Sequence, residues 1–138
     1  MSFVLDSSVA LTWCFEDERT AATDALLDRV TDAGAVAPSL WPLEVLNGLA
    51  MAERRGRLDA QRRYRMTSLL QALPVAIDSE TVRNAWQLTS HLAERFRLTV
   101  YDAAYLELAQ RMNLPLASLD QDLRTASATL GVPLLGLP

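Results

Sequence analysis

Phe3-Val4-Leu5-Asp6-Ser7-Ser8-Val9, running on through Ala10 to Phe15, reads as a short strand that turns directly into a helix. Three apolar residues give a buried extended segment, Asp6-Ser7-Ser8 supplies side chains able to cap a helix start, and Val9 to Phe15 are helix-compatible. Leu116-Ala117-Ser118-Leu119-Asp120 repeats the arrangement near the other end, with a helix expected from Asp122 to Leu130. Between them lie two more brief apolar runs, Ala35-Val36-Ala37 and Pro74-Val75-Ala76-Ile77, and Val132 to Leu137 can add an edge strand because prolines bracket it. Helical patterns fill the gaps: Glu16 to Thr31 closed by Gly34, Leu40 to Arg55 ended by Gly56, Asp59 to Leu73, Asp78 to Arg97, and Tyr101 to Met112. Strands alternating with helices require right-handed crossovers, so the expected fold is α/β: a three-layer α/β/α domain with a central parallel sheet of four to five short strands. One domain covering 1–138 suits a 138-residue chain of which half is hydrophobic.

The totals exclude several classes. Every apolar run is broken well before the ~20 residues needed to span a bilayer, which predicts no membrane partner and a cytoplasmic protein. Cys14 is the only cysteine and lies between Trp13 and Phe15, a core position rather than a redox centre. A net charge of −4 argues against broad electrostatic coating of nucleic acid. All thirteen basic residues are nevertheless arginine, and Arg54, Arg55, Arg57, Arg62, Arg63 and Arg65 crowd into twelve positions. Guanidinium forks match phosphate geometry, so this cluster is either a contact surface for RNA or a protein partner, or a solvated face of a helical hairpin.

In open α/β sheets, sites form beyond the carboxyl ends of strands near a switch in strand order. Asp6 and Asp120 belong there, although an aspartate after a strand also serves as a helix cap. Asp102 shares a helical face with Tyr105, Leu106 and Ala109, while Glu107, Gln110 and Arg111 fall on the opposite side, so its charge points toward the core unless it only caps the first turn. Glu44 lies among Leu40, Trp41, Gly48 and Met51, with Leu43, Val45, Leu46 and Leu49 broadening the apolar surface; Asn47, one turn along, is placed to hold its carboxylate or a bound water, the alternative being a charge at a helix rim. A buried carboxylate needs a compensating cation or hydrogen bonds. Four that converge would repel one another, and an all-oxygen donor set selects Mg²⁺ or Mn²⁺ over Zn²⁺. Such ions serve phosphodiester hydrolysis. His91, mid-helix, has no expected role, and Tyr101 and the three tryptophans are expected in the core or an interface.

Together these segments resemble the PIN-domain family along nearly the whole chain. Val4-Leu5-Asp6-Ser7-Ser8-Val9 is similar to its first acidic motif, Pro38 to Asn47 to the second, Tyr101-Asp102-Ala103-Ala104-Tyr105-Leu106-Glu107-Leu108-Ala109 to the third, and Leu116-Ala117-Ser118-Leu119-Asp120 to the fourth. The resemblance implies Asp6, Glu44, Asp102 and Asp120 as catalytic metal ligands, with Ser8, Asn47 and Ser118 in support and Asp122 as an outer carboxylate or the start of the last helix. Ser118 stands where the family commonly has threonine. The helical hairpin between the second and third acids and the Gly131-Val132-Pro133 ending resemble the VapC-type toxins. That implies an endoribonuclease toxin of a toxin–antitoxin pair, with an RNA substrate, a cognate VapB-like antitoxin and a homodimer.

Three rival readings share part of the pattern. A receiver-type or haloacid-type phosphotransfer enzyme also sets aspartates after strands, but the chain has no lysine, and Ser8 occupies the place of the second aspartate that a haloacid-type site requires. A nucleotide-binding module would need a glycine-rich phosphate loop, absent among five glycines. A non-catalytic interaction domain of the same fold is separated only by metal dependence.

Overall fold

The computed structural model describes residues 2–137. Five short strands, β1 (Val4–Leu5), β2 (Ala35–Ala37), β3 (Val75–Ile77), β4 (Leu116–Ala117) and β5 (Leu134–Leu135), form one sheet in the order β3-β2-β1-β4-β5. All pairings are parallel, with Val4 opposite Val36 on one side and Leu116 on the other. The helices connecting them cover the sheet on both faces, giving the three layers expected. Both residues of β1 are fully buried, as a central strand between helical layers demands. Because the chain moves outward from β1 to β2 and β3 and then returns to β4 on the far side of β1, strand order switches between β1 and β4. The carboxyl ends of those two strands therefore flank a crevice.

The helices are α1 (Ser7–Thr12), α2 (Ala21–Ala33), α3 (Trp41–Arg54), α4 (Ala60–Ala72), α5 (Thr81–Asn84), α6 (Ser90–Phe96), α7 (Val100–Met112) and α8 (Gln121–Thr129). Two expected helices differ from the sequence reading. The one predicted from Glu16 is a 3₁₀ turn, Glu16–Glu18, separated from α2 by an extended Arg19-Thr20. Thr20 and Thr23 form a reciprocal capping box that starts α2 afresh. The helix expected from Asp78 begins at Thr81 and carries a π-helical turn, Ala85–Thr89, between α5 and α6. Such a turn breaks the 3.6-residue period and leaves Trp86 85 % exposed, whereas Trp13 and Trp41 are in the core as anticipated.

The core unites Phe3, Val4 and Leu5 with Leu49 of α3, Tyr105, Leu106 and Leu108 of α7, Leu116 of β4 and Leu123 of α8. Leu43 and Leu46, which the sequence groups with the apolar face of α3, are instead exposed. Gly48 lets α3 approach α1: a Cβ there would lie 2.6 Å from Leu11 Cδ1. This close seat fixes the helix that follows Asp6 against the helix that carries Glu44. Arg111 closes another charge network, pairing with buried Glu107 at 2.8 Å and with Asp78 beyond β3 at 2.7 Å. Glu107 thus departs from its expected place on the solvent side, because a guanidinium covers it.

Candidate active site

Asp6 ends β1 and occupies the N-cap position of α1, yet its carboxylate makes no capping bond. Its Oδ2 accepts hydrogen bonds from Ser8 Oγ at 2.6 Å and Ser118 Oγ at 2.7 Å. Each serine is itself oriented: Ser8 Oγ accepts from the backbone N–H of Leu119, and Ser118 Oγ from that of Asp120, both at 3.0 Å. An oxygen that accepts from an amide has its O–H left to donate, so both hydroxyls are aimed at Asp6. The turns after β1 and β4 are stitched together through this one carboxylate, and Asp6 is only 3 % exposed.

Asp120 caps α8, its Oδ1 accepting from Leu123 N–H at 2.9 Å. Asp102 does not cap α7. Thr99 does so, by accepting from Asp102 N–H at 3.1 Å, which frees the Asp102 carboxylate from that duty. Glu44 is half-buried, and its Oε1 receives the phenolic O–H of Tyr105 at 2.5 Å and Ser7 Oγ at 3.3 Å. In Asp6, Glu44 and Asp120 these bonds all fall on one oxygen of the pair.

The four acids feel one another. Burial raises the proton affinity of Asp6 most, Ser8 and Ser118 offset part of this, and the charges of Glu44 and Asp120 add to it. Burial likewise raises Glu44, against the Tyr105 and Ser7 hydrogen bonds, with Asp102 pushing further upward. Asp102 is lifted from 3.8 to about 6 by burial and then by the charges of Asp120, Asp6 and Asp122. Burial and the neighbouring carboxylates drive the Tyr105 phenol strongly upward, so it remains a donor. Among the described residues no arginine or histidine forms an ion pair with Asp6, Glu44, Asp102 or Asp120.

Four coupled carboxylates with no cationic partner are the donor chemistry of a hard divalent ion. Among the described residues, no three acids close into a ready-made protein cage for a metal.

The remaining sequence candidates divide. Ser8 and Ser118 contact Asp6 as described. Asp122 is exposed at the rim and acts on Asp102 through its charge alone. Asn47 is exposed and has no hydrogen bond to Glu44; the bond that spacing on α3 suggests is made instead by Tyr105, from α7. A tyrosine on a buried helical face reads as ordinary core, and only the topology reveals what the Tyr105 hydroxyl meets. The arginine cluster splits in the same way. Arg57 pairs with Glu18 and Asp17 and stacks on Phe15, Arg62 donates to the Cys14 carbonyl, and Arg63 pairs with Glu53. Arg54, Arg55 and Arg65 are exposed and make no ion pair among the described residues. His91 is exposed and outside the site.

A family model described as the PIN domain matches residues 3–128. Ribonuclease VapC3 of Pyrobaculum aerophilum is 28% identical over 137 residues, an alignment covering 96% of this chain and 100% of that protein. Among solved structures, PAE2754 of Pyrobaculum aerophilum superposes with a TM-score of 0.67 at 22% identity, covering 97% of this chain and 83% of the other. VapBC2 of Rickettsia felis, solved bound to a DNA fragment from its promoter, gives a TM-score of 0.65 at 11% identity, with 97% of each chain covered.

Proposed function

The chain belongs to the PIN-domain family, and on that premise we propose that it is a divalent-metal-dependent endoribonuclease, the toxin half of a VapBC-type toxin–antitoxin pair. The observation that carries the reading is the set of four mutually repelling carboxylates, delivered by β1, α3, α7 and β4 to the crevice where strand order switches. The name of the Pyrobaculum relative supports the ribonuclease assignment, and the VapBC2 structure supports a VapB-like antitoxin as partner. The proposal treats 1–138 as one PIN-like domain that forms a homodimer. No helix among the described residues is long and apolar enough to cross a membrane.

Asp6, Asp102 and Asp120, with Glu44 beside them, would hold the ion, and the oxygen-only donor set favours Mg²⁺ or Mn²⁺. When bound, such an ion polarises a phosphate oxygen and acidifies a water for in-line attack. Ser8 and Ser118 hold Asp6 by one oxygen, so its position does not depend on the ion. Leu123 N–H does the same for Asp120. Arg54, Arg55 and Arg65 are exposed and available to the RNA backbone or to an acidic partner surface.

The test is cleavage of total cellular RNA by purified protein with Mn²⁺ or Mg²⁺, with EDTA, and by the Asp6→Ala variant. Metal-dependent cleavage that disappears in the variant supports the reading. Cleavage that survives both EDTA and the substitution excludes it.

A further inference from the structure

We infer that Tyr105 is a positioning residue for the metal centre, its phenol fixing one oxygen of Glu44 and leaving the other for the cation. The inference rests on the reading of the site as a divalent-metal centre. Glu44 is carried by α3, whereas Asp102 and Tyr105 are carried by α7, three positions apart and so on one helical face. Tyr105 is fully buried and reaches across from α7 to Glu44 Oε1 at 2.5 Å, within the range of charge-assisted O–H···O⁻ bonds. Ser7, the first residue of α1, donates to the same atom at 3.3 Å. Both donors converge on Oε1, and Oε2 has no hydrogen bond among the described residues.

A glutamate has three side-chain rotors, and holding it in one geometry costs conformational entropy. Asp6 and Asp120 are shorter and sit on turns tied by backbone hydrogen bonds, so they need less help. Glu44 lies in the first turn of α3 with a longer side chain, and donors from other elements are what set its carboxylate. Tyr105 therefore does for the glutamate on α3 what Ser8 and Ser118 do for the aspartate after β1.

A purely structural role predicts otherwise: the buried phenol would merely need an acceptor, and its loss would affect stability alone. Tyr105→Phe keeps the ring and removes the hydroxyl. Mn²⁺ binding is measured by titration calorimetry on the wild type, Tyr105→Phe, Glu44→Gln and the double variant, each first checked for a cooperative melt. The expected result is about tenfold weaker Mn²⁺ binding in Tyr105→Phe, about 1.4 kcal/mol, with no further loss when the same change is made in the Glu44→Gln background. Unchanged affinity in a folded Tyr105→Phe protein, or an equal loss in both backgrounds, overturns the inference while leaving the metal centre standing. Failure of the wild type to bind Mn²⁺ overturns both. Should Tyr105→Phe not fold, Ser7→Ala tests the same oxygen: a loss of Mn²⁺ affinity that vanishes in the Glu44→Gln background supports the inference, and none overturns it.

Discussion

Replacing Asp102 with asparagine is expected to abolish RNA cleavage while making the metal-free protein more stable at neutral pH. Asp102 has its carboxyl lifted from 3.8 to about 6 by burial and by Asp120, Asp6 and Asp122. An upward-shifted carboxyl means that the fold favours the protonated form, so the unfavourable contribution is absent below about pH 4, grows between about pH 4 and 6, and is complete above that. In a fully buried group a rise of this size would correspond to about 3 kcal/mol at pH 7. Asp102 is only half-buried, and solvent screening reduces this to about 1–2 kcal/mol. Asparagine preserves shape and removes the charge, so the variant's gain is of that size, about 3–8 °C in melting temperature for a domain of this length. The assay is thermal and urea unfolding in EDTA at pH 4 and pH 7, repeated with saturating Mn²⁺. Stabilisation by the ion, about 2.7 kcal/mol at a hundredfold excess over its dissociation constant, is expected in the wild type and not in the variant. A variant less stable than wild type at pH 7 in EDTA, or one whose gain is the same at both pH values, would refute the assignment of Asp102 to a repulsive cluster.

Ser118→Ala removes one of two hydroxyls on Asp6 Oδ2 and the acceptor of Asp120 N–H, and is expected to lower kcat/KM for RNA about 10–100-fold, read from initial rates at fixed Mn²⁺. Arg111→Met uncovers Glu107 and Asp78; urea denaturation at pH 7 is expected to show a loss of about 3–5 kcal/mol. Burial opposes ionisation of Asp78, but the Arg111 guanidinium and Thr81 hydroxyl outweigh it and hold the carboxyl below its usual value. Gly48→Val drives a branched side chain into Leu11 and is expected to cost about 1–3 kcal/mol in the same assay, with Leu11→Ala as a second-site change restoring part of it.

The Asp78 pairing also gives the Arg111 prediction a pH signature. A lowered carboxyl contributes stability that is present above the ordinary value of 3.8 and lost as pH falls through the folded one, so the deficit of Arg111→Met should narrow in acid. This is opposite in sign to Asp102, and measuring both variants across about pH 3–7 distinguishes a paired carboxylate from one held among its own kind.

What can be read from the chain alone follows from where each signal is local. Strand-to-helix turns at Asp6 and Asp120 are written in a few adjacent residues, and the parallel sheet follows from their alternation with helical periods. The four acids stand out because each interrupts an apolar pattern where an acid is costly. Partners are not legible in the same way. Spacing offers Asn47 to Glu44 because it is one turn away, but Tyr105 lies 61 residues along the chain and reaches Glu44 only because the fold brings its hydroxyl within hydrogen-bond range across the crevice. The helical pattern turns Glu107 toward solvent, and its burial depends on Arg111, which is anchored from beyond β3 by Asp78. Arg57 and Arg63 belong to a row suited to phosphate until Glu18 and Glu53 claim them. Helical periodicity thus locates a face, while the tertiary partner that decides a charged group's role comes from another element. Among the described residues, the four acids of the crevice are distinguished from Asp78, Glu53 and Glu107 by one property: the fold gives those three an arginine and supplies the four only with hydroxyls, amides and one another.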